Sequence, residues 1–118
     1  MDLQPELESE LARVLEPGEA VQAAARATEA ILAVSDRRLF IAANERIALS
    51  IRIEELRRIQ FDIEKSRPAT LVIVPEASRD EPQVLAIPPD QIRWTAEALA
   101  LIAERLAAYG DRRADAPS

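Results

Sequence analysis

Between residues 20 and 88 the chain is cut by turn-forming residues into seven aliphatic segments of six to eight residues each, a spacing that suits strands and leaves no room for helices. They fall at 20–26, 30–35, 38–43, 46–53, 57–64, 69–75 and 83–88. In Arg46-Ile47-Ala48-Leu49-Ser50-Ile51-Arg52-Ile53 the large apolar residues occupy every second position. Arg58-Ile59-Gln60-Phe61-Asp62-Ile63-Glu64 repeats the pattern, so each strand has one buried and one wet face, as in an antiparallel sheet. Ala43-Asn44-Glu45 and the polar stretch from Glu76 to Pro82 read as hairpin connections.

Helical periodicity flanks these strands on both sides. Leu3, Leu7, Leu11, Val14 and Leu15 form one stripe of an amphipathic helix over 3–15, with Pro5 in its first turn and Pro17-Gly18 as its stop. A second helix is expected from Asp90, a candidate N-cap after Pro88-Pro89, to Tyr109, with Gly110 at its end. Ile92, Ala96, Leu99, Ile102, Ala103 and Leu106 share the face expected to plug the open end of the sheet. The organisation is an N-terminal amphipathic helix over 1–15, one domain over 16–110 and a disordered polar tail over 111–118.

Composition narrows the chemistry. The chain has neither Cys nor His, which removes disulfides, thiol nucleophiles, the common zinc ligands and every Ser-His or Cys-His catalytic pair. Its only glycines are Gly18 and Gly110, so no glycine loop cradles a phosphate. Glu54-Glu55 and Asp80-Glu81 are adjacent acids, whose side chains diverge or stay in water instead of working as a pair. No catalytic, cofactor-binding or metal-binding residue is expected, and no small-molecule substrate.

The net charge of −6 is uneven: seven acids and two bases in 1–29, six acids and seven bases in 30–65, eight acids and six bases in 66–118. An acidic chain of this kind repels nucleic acid and anionic lipid. Lack of cysteine, of a leader-like N-terminus and of a bilayer-length apolar run points to the cytoplasm.

Three local patterns carry a family resemblance. Ala30-Ile31-Leu32-Ala33-Val34-Ser35-Asp36-Arg37-Arg38-Leu39-Phe40-Ile41 is similar to the strand, Thr/Ser-Asp/Asn-x-Arg-Leu turn and strand of the bacterial pleckstrin-homology-like (PH/GRAM-like) domains. Ile51-Arg52-Ile53-Glu54-Glu55-Leu56-Arg57-Arg58-Ile59 resembles the acidic bend between two of their strands, and Leu15-Glu16-Pro17-Gly18-Glu19 their entry into the first strand. The resemblance spans about 15–109. It implies an α+β, mostly β, fold: a seven-stranded antiparallel partly open barrel capped by a C-terminal helix, here with an additional short N-terminal helix. Phosphoinositide-binding members of the wider superfamily use Lys and Arg around the first hairpin loop. That loop is Arg26-Ala27-Thr28-Glu29 here, a poor phosphate cradle.

Candidate contact residues follow from charge and surplus hydrophobicity. Ser35-Asp36-Arg37-Arg38 offers two guanidinium groups to an anion, or is simply a tight turn. Arg46, Arg52, Arg57, Arg58, Lys65 and Arg67 form the basic concentration; they make either a docking surface for an acidic partner or ordinary cross-strand pairs with Glu54, Glu55, Asp62 and Glu64. Trp94 lies with Ala98 and Leu101 on a flank away from the plug face of the last helix. Either the stripe of Leu7, Leu11 and Val14 covers that flank or a second copy does. The expected function is a non-enzymatic protein-interaction or scaffold module whose partner is another protein or itself, as a homo-oligomer, with Trp94, Leu101, Arg52, Arg57 and Arg58 as the partner surface. A peripheral membrane-surface or lipid-binding domain is the alternative.

Overall fold

The seven aliphatic segments become seven strands in two antiparallel sheets. The computed structural model describes residues 4–115. The first sheet runs in the order β1 (Val21–Arg26), β2 (Ile31–Ser35), β3 (Leu39–Ala43), β4 (Arg46–Ile51), and the second in the order β5 (Leu56–Asp62), β6 (Ala69–Pro75), β7 (Gln83–Ile87). Helix α1 (Pro5–Leu11) precedes them and helix α2 (Ile92–Asp115) follows. Every connection joins sequence neighbours, because tight turns alone separate most strands. Asn44 and Glu45 both take positive φ, 53° and 63°, the backbone that a two-residue hairpin needs to match strand twist.

Bulges curl the sheets. The register slips at Gln22 against β2, at Ala48 against β3 and at Arg57 against β6, and each extra residue bends its strand. The two sheets close on a shared core of Leu32, Val34, Leu39, Ile41, Leu71 and Ile73, plugged by Ala98 and Ile102 of α2. The slip at Ala48 also corrects the alternation expected in β4. Leu49 and Ile51 are buried, but Ile47 pairs with Ala42 on the opposite face and is 37% exposed.

The outer face of the first sheet is covered too. Leu7 and Leu11 pack on Ala24, Ile31, Ala33, Phe40 and Ala42, with Val14 and Leu15 beside them. This explains why β2 is buried at every position. The helix is shorter than the expected 3–15, and Leu3 lies outside the described residues. Past Leu11 the chain must turn toward β1, and Arg38 Nη2 donates to the Val14 carbonyl (3.1 Å), satisfying an acceptor that further helix would have used. A reciprocal amide pair ties the start of α1 to the foot of α2: Gln4 Nε2 donates to Gln91 Oε1 (2.8 Å), and Gln91 Nε2 to Gln4 Oε1 (3.0 Å).

Helix α2 differs from expectation at both ends. It starts through a 3-10 turn at Pro89–Gln91, and it continues through Gly110 to Asp115. The expected disordered tail over 111–118 therefore begins as helix; residues 116–118 lie outside the described residues. An interior glycine costs a helix only about 1 kcal/mol, and nothing between Gly110 and Asp115 blocks propagation.

Gly18 is the one glycine that its backbone demands, with φ 78° at the turn into β1. A Cβ there would lie 3.2 Å from Arg37 Nη2. Gly18→Ala is expected to cost about 1–2 kcal/mol in chemical denaturation. An unchanged midpoint would show that this turn relaxes freely.

Candidate functional site

The rotation of α2 decides where the expected contact residues go. Thr95, Ala98 and Ile102 are its most buried side chains, whereas Ala96 and Ala103, expected on the plug face, are exposed. Ile92, Leu99, Ile102 and Leu106 of the expected face do pack on the core, and Thr95 and Ala98 join them, so the inward face is broader than the expected one and turned toward Ala98. Thr95 tolerates burial because its hydroxyl donates to the Gln91 carbonyl (2.9 Å), and Ala98 is small enough to let the helix approach the sheet. The turn carries the supposed surplus flank into the domain. Leu101 packs on the main core and Trp94 is half-buried, with the Arg93 guanidinium 5.7 Å from its ring centre. The α1 stripe, expected as one possible cover for Trp94, lies instead on Phe40 and its neighbours.

The Ser35–Arg38 segment is a structural turn. Ser35 Oγ accepts from the Arg37 and Arg38 N–H groups (both 3.1 Å), and the Asp36 carboxylate accepts from the Ala20 N–H (2.9 Å). The Arg38 guanidinium forks onto Glu19, Nε to Oε2 and Nη2 to Oε1, both at 2.8 Å. That leaves it closed to an outside anion. Hydrogen bonding from Arg38 is the largest cause that holds the Glu19 carboxyl down at about 2, with burial opposing it and Ser35 and the Glu16 N–H assisting.

The basic concentration divides into spent and free cations. Arg52 opens the 3-10 turn Ile53–Glu55; its N–H donates to Glu55 (2.8 Å), and its guanidinium lies 3.5–3.6 Å from Glu55 and Glu54. The same N–H bond, more than the guanidinium, keeps the Glu55 carboxyl below the usual range. Arg67 pairs with Glu64 (3.8 Å). Arg57 and Arg58 are exposed on β5, and among the described residues neither side chain has a hydrogen bond or ion pair. Arg57 is the bulged residue, while Arg58 stands directly opposite Val74.

A cleft of about 560 Å³ separates α1 from the β1–β2 and β3–β4 hairpins. Two ion pairs engage its arginines, Arg13 with Glu45 and Arg26 with Glu10, so neither is free for an incoming anion.

The least satisfied surface is the outer face of the second sheet, a grouping the sequence reading missed. Directly paired residues share a face, which places Arg58 beside Val74, Gln60 beside Val72 and Val84, and Asp62 beside Thr70 and Ala86. Val84 is 68% exposed and Val72 and Val74 remain partly exposed. The first sheet has α1 over its outer face; no described element packs over this one. The five expected contact residues therefore sit on separate surfaces. Arg57 and Arg58 border this face, Arg52 belongs to the 3-10 turn, and Trp94 and Leu101 belong to α2, which packs on β1, β2 and that turn.

No family model matches the chain, and no curated protein matches it either. Two solved structures are similar. One is a pleckstrin homology domain from Shewanella amazonensis SB2B, 17% identical, covering 84% of this chain and 94% of that one with a TM-score of 0.56. The other is a DUF1696 family protein with a pleckstrin-homology domain from Shewanella loihica PV-4, 16% identical, covering 88% and 97% with a TM-score of 0.59. At such identities the likeness is one of fold.

Proposed function

We propose that this pleckstrin-homology-like fold serves as a non-catalytic interaction module that holds a protein partner against the outer face of its second sheet. One observation carries the reading: α1 covers the corresponding face of the first sheet, while Val72, Val74 and Val84 stay open to water beside an unpartnered Arg58. Grouped apolar side chains rimmed by polar ones are the pattern of protein contact sites. The reading also keeps the protein in the cytoplasm, on the cysteine-free composition.

A photo-crosslinking residue at Val84 tests it in cells that express the protein. Crosslinking to protein is expected from Val84 and not from Ala103, which is exposed on the far side of α2. Equal yields from both positions would refute the assigned face. The free Arg57 and Arg58 are what a membrane-surface role would use. Sedimentation with anionic vesicles that weakens with salt and is abolished by Arg57→Glu with Arg58→Glu would replace the protein-partner reading.

A further inference from the structure

We propose that the occupant of this face is a second copy of the chain, packed sheet to sheet about a two-fold axis that runs along the middle row Gln60–Val72–Val84. The proposal rests on the reading of the face as a docking surface and names what docks there. The strand register supplies the argument. Arg58 and Val74 make one end of the face, Asp62, Thr70 and Ala86 the other, and the middle row lies between them.

An in-plane two-fold along the middle row reverses strand direction while laying each strand over itself. Val72 then meets Val72 and Val84 meets Val84 of the second copy, and Arg58 of each copy reaches Asp62 of the other. One face thus carries both halves of its own charge complement, the requirement for an isologous contact. Both groups are free to serve. Arg58 has no partner among the described residues, and the Asp62 carboxylate accepts only from the neutral Gln60 amide (2.9 Å). Packed sheets lie about 10 Å apart, a gap that valines fill from both sides. A face of three strands belongs with the small, transient interfaces, so the dimer is reversible and is sought at micromolar concentrations and above.

Sedimentation velocity across about a hundredfold range of concentration tests this. The wild-type chain is expected to pass from monomer to dimer and Val84→Asp, an exposed change that leaves the core intact, to stay monomeric. Arg58→Asp and Asp62→Arg should each weaken association at least about tenfold, and the double variant should return to within about threefold of wild type. A wild-type chain that stays monomeric throughout, or a dimer indifferent to the charge swap, overturns the proposal. If the monomeric chain still crosslinks through Val84 to a different protein, self-pairing fails and the docking face stands.

Discussion

Arg38→Met is expected to destabilise the protein by about 3–5 kcal/mol at neutral pH, since it strands a buried carboxylate without its counter-charge. The Glu19 side chain is fully enclosed. It receives the Arg38 fork, the Ser35 hydroxyl (2.5 Å) and the Glu16 N–H (3.0 Å). Arg38 in turn donates to the Val14 carbonyl and to Ser50 Oγ (both 3.1 Å) and lies 4.5 Å over the Phe40 ring. One guanidinium therefore joins the segment after α1, the start of β1, the β2–β3 turn and β4. Replacing both charges, as Glu19→Leu with Arg38→Met, should recover much of the loss, because removing a buried pair costs less than breaking it.

The same pair sets an acid limit. The folded carboxyl titrates at about 2 against an ordinary 4.5, so its stabilising contribution is complete above the ordinary value and is lost as pH falls toward 2. That contribution is about 3 kcal/mol. Urea melts at pH 7 and pH 3 check both effects. A single Arg38→Met variant within about 1 kcal/mol of the parent at pH 7 would contradict the account.

Leu7→Ala combined with Leu11→Ala is the second large effect, about 4 kcal/mol, limited by the worth of docking α1. Both side chains are 1% exposed, and a helix of seven residues cannot hold itself without them. Trp94, the only tryptophan, reports where α1 was. Because α1 packs on Phe40 and its neighbours, native emission from Trp94 should not shift in the variant. A red shift would mean that α1 shields the flank of α2.

The strands were legible because their punctuation is local. All seven lie within a few residues of the expected spans, and the PH-like order of strands and final helix is what the structure has. The continuous apolar runs Ile31-Leu32-Ala33-Val34 and Leu39-Phe40-Ile41-Ala42 already signalled a sheet covered on both faces, and they could have assigned α1 its place. The direction of α2 was harder to read. Its alanines suit either face, so the wheel could not tell Ala98 from Ala96; the packing distance to β1 made that choice. The outer face of the second sheet stayed hidden for a different reason. Its members come from three strands, and only the register that follows the Arg57 bulge brings Arg58 to Val74 and Gln60 to Val72.

The two sheets differ in one respect: the first is roofed by α1, and no described element covers the outer face of the second. Methyl NMR of dilute protein with a soluble paramagnetic agent measures this difference directly. Strong broadening is expected at Val84, clear broadening at Val72 and Val74, and almost none at Leu7, Leu11, Ile31 and Ala33. Broadened Leu7 and Leu11 methyls beside a protected Val84 would contradict it.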